Sequence, residues 1–299
     1  MGLWWLILCW AIGSANSANT TTLTRFLLDV GKYPLAVCND GSPAGMYLRP
    51  SPSGRSTDWL LFQQGGGWCY DPHTCAERAK VAPALTSSKG WPATQAEGGI
   101  FASTHANFED MNLVFVPYCT SDGFAGSVTG PPALPEWSFR GHDVVTAVVQ
   151  DLVATHGMGS KPGSTVLYSG CSAGARGALF NLDRVGALLA ALTGGRVSRF
   201  GGLLDSCFWV DMPHLPTANG PTFMEQARDV MALANASASA EDSCSAEYSG
   251  LDEWKCIYGV YRLPYTKSDY FLHSYQYDLF QLQGDTGVAV PDKTPEQIR

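Results

Sequence analysis

Apolar residues fall along this chain in short runs. PLAVCND (34–40), DWLLFQQ (58–64), MNLVFVPYC (111–119), STVLYSG (164–170), RFGGLLDS (199–206) and DYFLHSYQYD (269–278) are of strand length. Several are apolar throughout instead of alternating, the pattern of strands covered on both faces. Between them the period becomes helical. GHDVVTAVVQDLVATHG (141–157) sets Val144, Val145, Val148, Val149, Leu152 and Val153 on one stripe and ends in glycine. AGARGALFNLDRVGALLAAL (173–192) predicts a second helix, and FMEQARDVMALANAS (223–237) a third, outside the sheet core. Strands alternating with helices predict an α/β fold: a mainly parallel sheet with flanking helices in a single domain. The stretch 75–108 reads as irregular, a cap on that domain.

Composition narrows the classes. Of 299 residues, 45% are apolar and 15% charged, which is ample for a core. The net charge is -8 and the 19 Lys and Arg residues are scattered, so nucleic acid is not an expected partner. The first residues, MGLWWLILCWAIGSANSA, combine an apolar core at 3–12 with small residues after it. They predict a secretory signal peptide over 1–18, cleaved after Ala15 or Ala18, and a domain over 19–299. No other segment offers a membrane span. Asn19-Thr20-Thr21 and Asn235-Ala236-Ser237 fit the N-glycosylation sequon. Nine cysteines, eight without Cys9, predict disulfides in an oxidising compartment. Cys69 with Cys75 and Cys244 with Cys256 are close enough to close small loops. No CxxC pair exists, so neither zinc nor another metal is expected.

The candidate chemistry centres on Gly170-Cys171-Ser172-Ala173-Gly174, a G-x-S-x-G motif with a strand before it and a helix after it. A nucleophilic serine must project from a tight turn whose neighbours carry no bulk. The Ala173 N–H then sits at a helix N-terminus, where it can donate to an oxyanion. Gly65-Gly66-Gly67 follows another apolar strand, and Gly66 and Gly67 are the candidates for the remaining oxyanion donors. No phosphate-loop pattern follows these glycines. Asp278, at the end of an apolar run late in the chain, is the candidate triad acid. Asp205 and Asp211 also lie near strand ends, and Asp205 is expected to order a loop. Trp68, Phe124, Trp137, Phe208 and Trp209 either line an acyl pocket or pack in the core.

In order along the chain, GGGWCYDPHTC, SSKGW, VFVPYCTSDGFAG, FRG, SGCSAGARG, LDS and YDLFQ resemble the pectin acetylesterase family, which includes plant pectin acetylesterases and Notum-like carboxylesterases. The resemblance runs from about Tyr33 to about Gln283. It implies an α/β-hydrolase-like fold and a secreted serine carboxylesterase that needs no cofactor. Ser172 falls on the family nucleophile, Asp278 on its acid, and Gly66, Gly67 and Ala173 on its oxyanion donors. The implied substrate is an acylated polysaccharide such as pectin, in the cell wall or extracellular space, losing acetyl groups. The alternatives are deacylation of a lipid-modified secreted protein, and an inactive secreted relative that binds glycan or acyl groups.

Two departures stand out. Gln64 precedes the glycine run where the family carries Glu. No histidine follows Asp278, whereas the family's catalytic histidine comes after the acid: His73, His105, His142, His156, His214 and His273 all precede it. His273 is five residues from Asp278, an odd separation that points it to the opposite sheet face. The chain is therefore expected to lack its C-terminal segment, and the fragment to be impaired.

Overall fold

The computed structural model describes residues 20–102, 107–213, 220–239 and 243–286. Ten strands are present: β1 Thr21–Leu27, β2 Gly45–Arg49, β3 Trp59–Gln63, β4 Thr94–Glu97, β5 Asn112–Val116, β6 Val128–Thr129, β7 Ser138–Phe139, β8 Ser164–Cys171, β9 Val197–Asp205 and β10 Tyr270–His273. The helices are α1 Pro72–Val81, α2 Gly141–Ala154, α3 Ala173–Thr193, α4 Phe223–Leu233, α5 Ser243–Glu247, α6 Gly259–Arg262 and α7 Leu279–Thr286, with short 3-10 turns between some of them.

Eight strands form one sheet in the order β10-β9-β8-β3-β5-β2-β1-β4, and β6 and β7 make a separate ribbon. The five strands β10, β9, β8, β3 and β5 run parallel, while β2, β1 and β4 complete the sheet antiparallel. The architecture is the α/β-hydrolase-like fold with the expected mainly parallel sheet, extended at one edge by antiparallel strands. Leu60, Leu61, Val114, Val116, Val166 and Tyr168 are buried at its centre, as unbroken apolar strands require.

The three predicted helices form within a few residues of their expected ends. β1, β2 and β4 escaped the apolar-run reading: β1, TTLTRFL, is mostly solvated although it lies between β2 and β4, β4 is polar, and β2, GMYLR, is buried but short. The run 34–40 makes only an isolated bridge, Val37 to Pro43, and is held instead by the Cys38–Cys119 disulfide. The irregular stretch 75–108 contains most of α1 and all of β4. The run 269–278 is a strand only as far as His273. Both short-loop disulfides form, Cys69–Cys75 and Cys244–Cys256; Cys207 is free and buried. The expected signal segment 1–18 and Asn19 lie outside the described residues. Among the described residues, no helix is long and apolar enough to cross a membrane.

A second aromatic core sits beside the sheet. Trp68, Phe180, Trp209, Phe223, Trp254 and Tyr258 pack together under the segments that follow β9.

Candidate active site

β8 ends at Cys171 and α3 begins at Ala173. Ser172 between them adopts φ 55° and ψ -122°, a conformation that costs an L-residue on the order of 1–3 kcal/mol. It persists because both sides are fixed. The Ser172 N–H donates to the Asp205 carbonyl at 2.8 Å, and its own carbonyl accepts from the Arg176 N–H at 2.9 Å. Its side chain makes no capping bond to α3 and the residue is only half-buried.

The flanking glycines are there because nothing larger fits. A β-carbon on Gly170 would lie 2.4 Å from the Gly174 carbonyl carbon, and one on Gly174 would lie 2.1 Å from the Gln63 carbonyl oxygen. The first turn of α3 is thus pressed onto the end of β3, which pairs with β8 from Trp59–Val166 to Gln63–Gly170. The chain leaving β3 at that point is Gln64 followed by the three glycines. Gly66 and Gly67 take φ values of 140° and 65°, backbone open to glycine and strained for other residues. The fold therefore brings Ser172, Ala173 and the Gly66–Gly67 loop to one corner, at the carboxyl ends of the parallel strands, where α/β sheets place their chemistry.

That loop is tied down on both sides. The Gln64 side-chain oxygen accepts from the Tyr118 N–H at 2.9 Å, so the amide standing where the family carries a carboxylate still anchors the strand end. Arg78 on α1 donates Nη1 to the Gly66 carbonyl at 2.7 Å and Nε to Ser121 Oγ at 2.9 Å. The Cys69 N–H reaches the Ser121 carbonyl at 3.1 Å.

Asp278 does not end a strand. Its Oδ1 accepts the N–H groups of Phe280 at 2.9 Å and Gln281 at 3.1 Å, so it caps the start of α7. Gln281 then ties α7 to the loop after β9: its Oε1 accepts from the Val210 N–H at 2.9 Å and its Nε2 donates to the Phe208 carbonyl at 3.1 Å. That loop follows Asp205, the backbone partner of Ser172. The YDLFQ block thus holds a carboxylate to the chain segment that also supports the serine.

None of the described histidines is bonded to Ser172 or Asp278. His273 pairs across adjacent strands with Asp205, Nδ1 to Oδ1 at 2.8 Å. Asp205 also accepts from Ser206 Oγ at 3.0 Å. His142 has its pKa pulled down to about 4, first by burial and then by Arg184. His156 lies 3.4 Å from Asp151, and His73 is exposed on α1. His105 and His214 lie outside the described residues.

Of the five candidate pocket aromatics, Trp68, Phe124 and Trp209 are buried, while Trp137 and Phe208 are partly exposed. Trp68, directly after the glycine run, packs on Trp209 with ring centroids 5.4 Å apart and on Phe223 at 5.5 Å. Arg176, one helical turn beyond Ser172, rests against both indoles, its guanidinium carbon 3.8 Å and 4.3 Å from their centroids. Sequence reasoning missed Arg176, Arg78 and Gln281. Arg176 and Gln281 at least lie inside the SGCSAGARG and YDLFQ blocks, whereas Arg78 lies three residues past GGGWCYDPHTC. Asp122 also escaped notice; buried, it accepts from the N–H groups of Phe124, Gly126 and Gly141 and from Thr120 Oγ1. Burial raises its pKa to about 6 against those bonds.

The chain is similar over most of its length to proteins of one family. The pectinacetylesterase family profile matches residues 16–297. The palmitoleoyl-protein carboxylesterase notum2 of Xenopus laevis is 33% identical over 260 residues, which is 84% of this chain and 51% of the relative. The palmitoleoyl-protein carboxylesterase NOTUM of Mus musculus is 32% identical over 281 residues, 91% of this chain and 53% of the relative. The crystal structure of the Wnt deacylase Notum from Drosophila superposes with a TM-score of 0.80 at 30% identity, covering 93% of this chain and 77% of that one. The chain spans about half the length of the curated relatives it matches.

Proposed function

The chain belongs to the pectinacetylesterase family, a family of ester hydrolases, and from that premise we propose that it is a secreted serine carboxylesterase acting through Ser172. The observation that carries the reading is the corner where the Ser172 elbow meets the Gly66–Gly67 loop. Ser172 Oγ attacks the acyl carbonyl. The N–H groups of Ala173, Gly66 and Gly67 hold the oxyanion, and water then releases the acid. Asp278 orients the histidine that takes the serine proton and returns it to the leaving alcohol. The disulfides Cys38–Cys119, Cys69–Cys75 and Cys244–Cys256 support a secreted protein.

The acyl group is short, acetyl on a polysaccharide such as pectin. The support is the packing beside the glycine loop, where Trp68, Trp209, Phe223 and Tyr258 contact one another and none is more than 9% exposed. The similarity to palmitoleoyl-protein carboxylesterases favours a second reading, removal of a long acyl chain from a secreted protein. Hydrolysis of p-nitrophenyl esters from acetyl to octanoyl separates the two. Rates falling steeply beyond acetyl support the first, and a maximum at octanoyl supports the second. Rates equal to those of Ser172→Ala for every ester support a binding protein without turnover.

A further inference from the structure

We propose that Arg78 is a positioning residue for the oxyanion donors, acting through the Gly66 carbonyl. The inference rests on the esterase reading given above. A peptide unit is planar and trans, so its C=O and the following N–H point in opposite directions. Fixing the Gly66 carbonyl therefore fixes the direction of the Gly67 N–H. Two consecutive glycines with positive φ have no intrinsic reason to hold one orientation, since glycine populates both halves of the map about equally. Something outside the loop must select it, and Arg78 Nη1, 2.7 Å from Gly66 O, is the charged donor that does so.

The guanidinium is itself held rigidly. Its Nε donates to Ser121 Oγ at 2.9 Å, and Ser121 Oγ donates onward to Asn39 Oδ1 at 2.6 Å. Asn39 is fixed by donating to the carbonyls of Thr120 and Ser138 at 2.9 and 2.8 Å. The guanidinium carbon lies 5.2 Å from the centroid of the Tyr118 ring, and Tyr118 is also the residue whose N–H is taken by Gln64. Helix α1, which carries Arg78, is capped by Asp71 through the Thr74 N–H at 2.7 Å and stapled by Cys69–Cys75 to the chain just past the glycines. A donor that must not move during acyl cleavage is thus backed by a chain of contacts that cannot move independently. Pre-set donors of this kind lose no reorganisation energy at the transition state.

The test uses Arg78→Met, Arg78→Lys and Ser172→Ala in the full chain. It measures p-nitrophenyl acetate kinetics per titrated active site and the inhibition constant of a trifluoromethyl ketone, which adds to serine as an oxyanion. For Arg78→Met the expected result is a kcat lowered about tenfold to a hundredfold. KM stays within about twofold, and ketone inhibition weakens by a factor similar to the fall in kcat. Arg78→Lys, which keeps one donor for Gly66, recovers part of both. A variant that is merely less well folded loses active sites without weakening the ketone on those that remain. An unchanged inhibition constant, or a rise in KM alone, overturns the role of Arg78 while leaving the esterase reading intact. Ser172→Ala hydrolysing as fast as the parent overturns both.

Discussion

Gly174 stands against the carbonyl of Gln63, so close that a β-carbon on it would lie 2.1 Å from the oxygen. This contact joins the serine elbow to the strand that feeds the glycine loop. Both neighbours are backbone, so neither can swing aside. Gly174→Ala is expected to lower stability by about 3 kcal/mol or more, above the usual range for overpacking, and to abolish esterase activity. Urea midpoints with activity per folded molecule check this; a variant as stable as the parent shows that α3 and β3 can separate.

Arg176 is buried against Trp68 and Trp209, and none of its three guanidinium nitrogens has a hydrogen-bond partner among the described residues. Burial pulls its pKa down to about 10. The stacking attraction is worth about 2 kcal/mol when desolvated, against several for stripping water from a charge. Arg176→Met, which fills similar space, is expected to be neutral or stabilising. Arg176→Ala leaves a gap beside two indoles and is expected to cost about 2–4 kcal/mol. Denaturant titrations of the pair decide the matter: a methionine variant as unstable as the alanine one means the charge itself is needed.

Asp285 on α7 is 3% exposed, and its Oδ1 has no partner among the described residues. Burial first, then the neighbouring Asp211 and Asp278, push its pKa up to about 7. The folded state therefore holds this proton more tightly than the unfolded chain does. The stability it allows is complete below about pH 4 and is lost as pH rises towards 7. Asp285→Asn removes that loss, so its advantage over the parent should grow between pH 5 and pH 8. Asp122, whose pKa is raised in the same direction, is present in both proteins and cancels in the comparison. A difference in urea midpoint that does not change with pH would falsify the assignment.

Asp278 has two separable duties, capping α7 through Oδ1 and, in the proposed triad, carrying charge. Asparagine caps a helix about as well as aspartate but orients the wrong imidazole tautomer, at a cost of about 10⁴ in kcat. Asp278→Asn should thus melt within a few degrees of the parent yet be nearly inactive. Substantial turnover in a folded Asp278→Asn protein would remove it from the triad.

How much of this was legible beforehand differs from element to element. Periodicity exposed α2 and α3, because long stripes of valine and leucine leave no other way to bury themselves. It missed β1 and β4, whose residues are polar and which form by hydrogen bonding to a neighbour distant in sequence. It overextended the last strand, since YQYD is as apolar as a strand but Asp278 accepts the N–H groups that start a helix.

By itself the sequence determined where the chain can turn sharply, since G-x-S-x-G and three consecutive glycines mark local backbone geometry that few other residues can adopt. It also offered the short disulfides as loops the chain could close. Only the tertiary structure decided that Arg78 grips Gly66, that His273 is engaged by Asp205, and that Arg176 rests against two tryptophans. The last two pairs are 68 and, for Trp68, 108 residues apart. Contacts over such separations depend on how strands and helices stack, which no local pattern of side chains encodes.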